Sequence, residues 1–443
     1  MSTPVASVGG TATVASNFLT LLLEGRPQAP ERAPDWFTRL RSASLDRVGV
    51  LTVPTTRDEE WRFTDIAPLA GRAFEPVQTA PTLSLADIAR FNIEEAAQRL
   101  VFVDGVFAPA LSTGVDGPGV QVTTLARALA ARTPGIEAHL GIHAGYQDQL
   151  FSALNTAFLR DGALIMVPPE TAVADPVHLL FIATRKDGAS HPRCLVSAGP
   201  GSAVTVVEDY VALTDEAYFT NAVTEIAIAD NARVAHVRVQ RESGAAFHIG
   251  RCAVSLGRAA AYRSVGVALG ARISRLDHCV TQAGIGSECT LDALALIGGS
   301  QIADTHSVID HGQAHGTSRQ LHKCIVGAAA QAVFNGKVLV RQGAQKTDSA
   351  QSSRNLLLSP KARVDTKPQL EIFADDVKCA HGATVGQLDT DEVFYLRSRG
   401  LSEPAAKSLL TYAFGAEIID RIPIRTLKTR LGEAVLANTA GTP

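Results

Sequence analysis

The feature that most constrains this fold is a long succession of short apolar segments, which begins near Ala163 and continues to about residue 387. Early members are Leu164–Val167, Val177–Ile182 and Ala203–Val207, whose lengths and apolar or alternating patterns are typical of strands. No helical period intervenes beyond Glu225. This part of the chain must therefore fold from strands alone.

Turn residues separate these segments at intervals of roughly 13 to 17 residues. About ten consecutive units exceed what an ordinary seven-stranded sandwich uses. The many glycines and other small residues at the turns suit a coil whose turns stack closely. The pattern predicts a mainly β fold with a central β-helix (solenoid), with a sandwich or barrel as the alternatives. The turns lie near Asp230, Gly244, Gly257, Gly270, Gly284, Gly298, Gly312, Gly327, Gly343, Pro360 and Asp375.

Helical patterns flank the strands on the N-terminal side. Ser16 is the expected cap of a short helix through Leu23, and residues 36–45 place Trp36 and Leu40 near one face of another. Residues 55–65 have hydroxyls, then acids, then aromatics, which is typical of a helix start. Further helices are expected over 125–131 and 147–159. We therefore expect a mostly helical N-terminal domain over 1–160 and a β-helix core over 161–387.

A helical period returns at Leu388 and defines a C-terminal domain over 388–443. Asp389 or Thr390 should cap a helix that ends at Arg399, and Ser402 should cap the next one. These helices could close the open end of the solenoid or offer a surface to a partner, and periodicity alone does not separate the two. The apolar face of the second helix comprises Leu409, Leu410, Ala413, Phe414 and Ile418.

Charge and composition exclude several functional classes. The net charge is −3 and the pI is about 6.5, so nothing indicates binding to nucleic acid or to an anionic membrane. No run approaches the ~20 apolar residues of a membrane span. The N-terminus lacks the basic region of a secretory signal. Six irregularly spaced cysteines in a chain of this length predict free thiols in a reducing compartment, the cytoplasm.

Two residues near the end of the strand series have metal-ligand chemistry. Cys379 and His381 are two apart, so on a strand their side chains share a face. A thiolate and an imidazole can form part of a soft-metal site, but such sites usually need three or four ligands. The structural alternative is a buried cysteine and a hydrogen-bonded histidine at a strand end.

Other motifs do not indicate a nucleotide-binding or metal-binding site. Gly336-Lys337 is followed by Val338, so the chain lacks the phosphate-binding loop of P-loop ATPases. A second group of polar residues fits no standard metal-ligand spacing, and its members are expected to be polar positions on strands and turns. This group comprises His306, Asp310, His311, His315, His322 and Cys324.

Several long motifs follow one another along the chain. They are Arg57–Asp65, Ser318–Lys323, Phe334–Gly336, Lys346–Asp348, Asn355–Leu358, Asp365–Ile372, Asp375–Gly386 and Phe394–Gly400. Together these motifs closely resemble the SufB/SufD family of the Suf iron–sulfur cluster assembly system. The similarity covers most of the chain and is strongest from about residue 300 to 415. SufB-like chains carry His-Glu-Ala-Thr where this chain has His381-Gly382-Ala383-Thr384, which favours the SufD branch.

The resemblance implies a non-enzymatic scaffold with defined partners. Its β-helix would pair with a SufB-like paralogue, and a transient Fe–S cluster would be built at their interface. A SufC-like ABC ATPase would bind the C-terminal helices, for which Leu409, Leu410, Phe414 and Ile418 are the candidate residues. A cysteine desulfurase system would supply sulfur, and reduced flavin is linked to such complexes.

The same resemblance makes His381 a candidate cluster ligand and places Cys379 at the interface with the paralogue. Rival hypotheses remain open at this point. A stand-alone metal or iron carrier would bind stoichiometric metal without a partner. A β-solenoid carbohydrate-active enzyme, such as a polysaccharide lyase, would be secreted and would carry clustered acids along one strand face.

Overall fold

The computed structural model describes residues 18–115 and 119–440, with side chains up to residue 437. The expected cap, Ser16, lies outside the described residues, and the segment that follows it is helical over 18–24. No helix in the described ranges is long and apolar enough to cross a lipid bilayer.

The strands form two stacked sheets that wind into a β-solenoid of about eight turns, as predicted. Each turn contributes one strand to each sheet. The turn signals in the sequence therefore mark half-turns of the coil.

The strand bounds are β1 Glu75–Pro76, β2 Gln98–Val103, β3 Val106–Phe107, β4 Gln121–Thr124, β5 Ala163–Val167, β6 Val177–Ala183, β7 Gly188–Ser190, β8 Arg193–Ala198, β9 Ala203–Ala212, β10 Phe219–Ile228, β11 Arg233–Arg241, β12 Phe247–Leu256, β13 Ala261–Ala268, β14 Ile273–Gln282, β15 Glu288–Ile297, β16 Ile302–His311, β17 Thr317–Val326, β18 Gln331–Val340, β19 Asp348–Leu357, β20 Arg363–Ile372 and β21 Lys378–Gly386. Sheet 1 has the order β20-β18-β16-β14-β12-β10-β8-β5-β4, and sheet 2 has the order β21-β19-β17-β15-β13-β11-β9-β6-β2-β3.

Parallel strands of successive turns pair in register, which stacks equivalent side chains in columns. One interior column of sheet 1 contains Ile226, Val254, Val280, Ile309 and Val338. All five are buried. Because side chains alternate between the two faces of a strand, a slip of one residue would move every such column to the outer face. Burial of these columns therefore fixes the register of the coil.

The N-terminal region combines helices with short strands. β2 and β4 pair with solenoid strands β6 and β5, so this region extends both sheets. Residues 55–65 form only a 3-10 turn at Glu59–Trp61 instead of the expected longer helix, because the segment binds the outer face of sheet 1 through the Thr64 hydroxyl and the Glu60 carbonyl oxygen. The helices are Asp35–Val48, Ala67–Ala70, Leu85–Ile88, Leu125–Ala130 and Leu150–Phe158, with further 3-10 turns at Ala89–Phe91 and Pro109–Leu111.

Three C-terminal helices, Thr390–Ser398, Glu403–Ile419 and Arg425–Ala440, follow the solenoid. Asp389 caps the first helix by accepting from Asp391 N, and Ser402 caps the second. Gly400 has φ +97°, the left-handed conformation that glycine favours at a helix end.

The C-terminal helices pack against the outer face of sheet 2 and leave the open end of the solenoid uncovered. Ile418, Leu427 and Leu431 form one apolar cluster with Leu294 and Ile325 of that face. Of the two roles left open by the sequence for these helices, closing the open end is therefore wrong. The last strands, β20 and β21, stay exposed or half-buried along their length.

Candidate functional site at the open edge of the solenoid

The last turn of the solenoid is a double strand edge. In the described part of the chain, β20 pairs only with β18, and β21 pairs only with β19. Such an edge presents backbone donors and acceptors to any strand that approaches it. Large apolar side chains lie beside it, since Phe373 is 64% exposed and Val385 is 50% exposed. The edge therefore has the polar backbone and the apolar side chains that strand-to-strand association uses.

Cys379 and His381 both lie on β21, two residues apart, and their register places them at the ends of two interior columns. Cys379 pairs with Ser349, and His381 pairs with Gln351. The Cys379 side chain packs near Val338 and Val340, whereas His381 is exposed at the edge. The solenoid thus carries one thiol and one imidazole to its open end on the same face of the strand.

Hydrogen-bonded columns of polar side chains lie directly behind these two residues. Behind Cys379, the Ser349 hydroxyl lies 2.7 Å from that of Ser318, which lies 2.9 Å from His311 Nε2. Behind His381, Gln351 Nε2 donates to Gln320 Oε1 at 2.8 Å. The interior is therefore polar beneath the edge, although it is apolar in other columns.

Sequence reasoning did not identify these columns. Gln320 and Gln351 are 31 residues apart, as are Ser318 and Ser349. The two residues of each pair lie one solenoid turn apart, so the sequence signal is the recurrence of the same residue type after one turn. This recurrence can be identified only when the length of the turn is known.

The two edge residues differ in their readiness to bind metal. Burial raises the pKa of the Cys379 thiol above its ordinary value, with the nearby Asp348 charge acting in the same direction. Cys379 is therefore a thiol at neutral pH and must lose a proton to ligate metal. The imidazole of His381, in contrast, is exposed at the edge.

The edge of this chain supplies at most part of a metal site. Within residues 18–115 and 119–440, no group of three or more His, Cys, Asp or Glu side chains could hold a metal ion. Two ligands from one strand leave the remaining coordination positions of iron to other donors. A cluster bound here would need ligands from a partner or from small thiols.

The second group of histidines does not converge on one site. His306 contacts Asp304 and Glu60 on the outer face of sheet 1. His311 and His322 lie inside the solenoid, and burial lowers the pKa of each to about 4. His315 is exposed at a turn with φ +62°. These positions match the structural interpretation of the sequence.

The four residues of the Glu403–Ile419 helix that are expected to contact an ATPase differ in exposure: some pack against the solenoid, and others face outward. Ile418 is fully buried against sheet 2, and Phe414 is partly buried. Lys323 Nζ donates to Phe414 O at 2.9 Å and lies 4.2 Å from the centre of its ring. Leu410 is half-buried, whereas Leu409 is 44% exposed. Ile418 and Phe414 thus hold the helix on the solenoid, and Leu409 points outward.

Further exposed aromatics lie on the preceding helix. Phe394 is 72% exposed and Tyr395 is 56% exposed, although sequence reasoning identified them only as part of the family motif. Phe394 also lines a groove of about 490 Å³ between the two helices and the turn at Ser359–Pro360. Lys407 and Glu403 line the same groove and form an ion pair at 2.8 Å. The helices therefore expose an apolar surface with a charged rim.

Comparison with known proteins agrees with this architecture over nearly the whole chain. Residues 181–414 match the family model described as the SufBD core domain of the SUF system of FeS cluster assembly, and residues 12–179 match the SufBD protein N-terminal region. An iron–sulfur cluster assembly SufBD family protein of Synechocystis is 42% identical over 423 residues, covering 90% of each chain.

Two relatives named iron–sulfur cluster assembly protein SufD are also similar. The Escherichia coli protein is 33% identical over 383 residues, which cover 86% of this chain and 88% of the relative. The Bacillus subtilis protein is 28% identical over 415 residues, which cover 90% of this chain and 93% of the relative.

Proposed function

Because the chain belongs to the SufBD family of iron–sulfur cluster assembly proteins, we propose that it is the SufD-type scaffold subunit of a Suf complex. In this role it provides one half of a cluster-building site and catalyses no reaction by itself. The observation that carries the proposal is the solenoid edge, which presents His381 beside Cys379 and which, among the described residues, has no third ligand to complete a metal site.

The edge suits a partner that is itself a β-solenoid. β20 and β21 offer backbone hydrogen bonds from both sheets, and Phe373 and Val385 add apolar area. A SufB-like paralogue that ends in a similar edge would extend both sheets and cover these side chains. The interface would then enclose His381 and Cys379 together with ligands from the paralogue.

The chemistry of the two residues fits a nascent cluster as cargo. A neutral imidazole nitrogen and a thiolate are both ligands of iron in proteins. His381 would bind first, since burial keeps Cys379 protonated until a metal displaces its proton. Sulfur from a desulfurase system and electrons from reduced flavin would reach the assembled complex.

The C-terminal helices would bind a SufC-like ABC ATPase. Their exposed apolar side chains, Phe394, Tyr395 and Leu409, form the proposed contact surface. Phe414 and Ile418 would contribute to ATPase binding indirectly, by fixing the helix to sheet 2. A force applied by the ATPase to these helices would reach the strands that lead to the open edge.

The experiment compares His381→Ala and Cys379→Ala with the control His315→Asn, which removes an exposed imidazole from a turn far from the edge residues in sequence. Asparagine tolerates the left-handed conformation at this turn. Each variant is purified anaerobically with its partners, and cluster formation is followed by visible absorption, iron content and sulfide content. Subunit composition is measured in parallel.

We expect His381→Ala to lose most of the cluster while the complex stays assembled. His315→Asn should behave as the wild type. Normal cluster content in His381→Ala would overturn the assignment of His381 as a ligand. A wild-type chain that purifies alone with stoichiometric iron would overturn the scaffold role and support a metal carrier.

A further inference from the structure

The column behind His381 ends in a buried glutamine whose side-chain carbonyl oxygen has no hydrogen-bond partner among the described residues. Gln351 lies directly beneath His381 in the register of sheet 2, and Gln320 lies one turn further inside. Gln351 is 3% exposed. A buried amide oxygen without a donor costs free energy, so its presence needs a reason.

Hydrogen bonds fix the direction of the Gln351 amide. Gln320 Nε2 donates to Ser307 Oγ at 2.8 Å, which leaves Gln320 Oε1 to accept from Gln351 Nε2, also at 2.8 Å. The NH₂ group of Gln351 is thereby committed to the preceding turn. Its Oε1 is held away from that bond, and no donor among the described residues reaches it.

The local packing supports this placement of the amide. A Cβ added at Gly336 would collide with Gln351 Nε2 and would lie 2.6 Å from Phe334 Cζ. The residue one turn above Gly336 in sheet 1 is Pro368, which has no side-chain donor. His381 is therefore the polar side chain of the last turn that stands in register over Gln351.

We propose that Gln351 is a positioning residue for His381: its Oε1 accepts the N–H of one imidazole nitrogen and leaves the other nitrogen unprotonated at the open edge. This inference rests on the proposed role of His381 as a ligand. Within the described residues, no hydrogen bond holds the His381 ring in another orientation.

Such a contact would supply what a metal-binding imidazole requires. A neutral imidazole has one N–H and one lone pair, and the partner of the N–H decides which nitrogen can bind metal. An N–H bound to a carbonyl oxygen also fixes the ring plane. Gln351 would thus select the tautomer and aim the lone pair of His381 toward the partner.

The test uses the full-length chain labelled with ¹⁵N-histidine and long-range ¹H–¹⁵N correlation spectra, which distinguish the two tautomers. The His381 signals are identified by their loss in His381→Ala. Gln351→Met removes the acceptor at similar size, whereas Gln351→Glu keeps an acceptor at the same position. Gln282→Met is the matched control. Gln282 is also fully buried and donates its Nε2 to a carbonyl oxygen, and its Oε1 has no partner in the part of the chain that the structure describes. It lies on sheet 1, away from the column of Gln351.

We expect one dominant tautomer of His381 in the wild type and in Gln351→Glu, and a mixture in Gln351→Met. Gln282→Met should leave the His381 signals unchanged. In the complex, Gln351→Met should weaken metal binding by about 10- to 100-fold, the usual effect of losing such a partner. A purely structural role predicts the opposite order, since burying the charge of Gln351→Glu would be the more damaging change.

A mixture of tautomers in the wild type would overturn the proposal, even if Gln351→Met failed to fold. An unchanged tautomer in folded Gln351→Met would also overturn it. Failure of the proposed function gives a different result: His381→Ala would assemble clusters normally while the wild-type chain still showed one tautomer. The two ideas can therefore fail separately.

Discussion

Deprotonation of His306 should release an N-terminal strap from the solenoid. The strap, defined as residues 59–64, crosses the outer face of sheet 1. Arg275 lies 3.9 Å from the centre of the Trp61 ring and donates to Glu60 O at 2.7 Å. Thr64 Oγ1 donates to Asp304 Oδ2 at 2.6 Å. Lys367, on edge strand β20, donates to Glu59 at 2.8 Å, so the strap reaches the last turn.

The largely buried His306 is the titratable member of this contact. Its Nδ1 lies 3.1 Å from Glu60 Oε2, and its Nε2 lies 3.1 Å from Asp304 Oδ1. Burial alone would lower the pKa of His306, but the charge and hydrogen bond of Asp304 and the hydrogen bond of Glu60 outweigh it. The positive charge of the nearby Arg275 lowers the pKa of His306, but by less than these interactions raise it. The net result is a pKa raised from 6.5 to about 9.

The free energy follows from this pKa shift. Each pKa unit corresponds to about 1.36 kcal/mol, so the raised pKa of His306 contributes about 3 kcal/mol. Because the folded pKa exceeds the unfolded one, this contribution is fully present below about pH 6.5. It is lost as pH rises through about 9. The strap should therefore dock firmly at neutral pH and loosen in mild alkali.

Urea titrations at pH 6.5 and pH 9.5, followed by Trp61 fluorescence in a Trp36→Phe background, measure this effect. The wild type should lose about 3 kcal/mol between the two pH values, whereas His306→Gln should lose far less. His315→Asn, which removes the exposed turn histidine, should follow the wild type. Equal pH dependence in the wild type and His306→Gln would refute the reasoning.

Three further predictions concern the surfaces and the interior of the solenoid. Leu409→Asp should abolish ATPase co-purification with little change in the melting temperature, while Ile142→Asp, at another exposed position, should not; unchanged ATPase binding would move the contact elsewhere. Phe373→Asp should reduce pairing with the paralogue in size-exclusion chromatography and change stability by less than about 0.5 kcal/mol; undiminished pairing would remove this edge from the interface. Gly336→Ala should destabilise the chain by about 1–3 kcal/mol in urea titrations, because its Cβ would displace the Gln351 amide; wild-type stability would show that the amide can move aside.

The β-solenoid was predictable because its signal is local and repeated. Strand alternation and small turn residues recur over more than 200 residues, and each turn buries the same kind of column. The capping of the C-terminal helices by Asp389 and Ser402 was also predictable from the sequence, since a cap depends on residues within one turn of the helix.

The position of those helices was not predictable, because it depends on contacts between distant segments. The sequence pattern places Ile418 on the apolar helix face that was expected to bind a partner, yet its side chain is buried against sheet 2. The conformation of the strap was not predictable for the same reason. Residues 55–65 have the sequence pattern of a helix start, but the Glu60 carboxylate contacts His306, which lies 246 residues away. Tertiary contacts overrode the local preference at both places.

The candidate site was predictable only in part. Cys379 and His381 were identified from their spacing and from the family motif. Gln351 behind them was not, because a glutamine has no meaning as a ligand support until the register of the coil is known.

The most direct test of the scaffold role is the composition of what the tagged chain brings with it. The chain is purified anaerobically from its own cells, and native mass spectrometry gives the mass and stoichiometry of the assembly. We predict a complex that contains a SufB-like paralogue and an ABC ATPase. A lone chain, with or without bound iron, would contradict the proposed function.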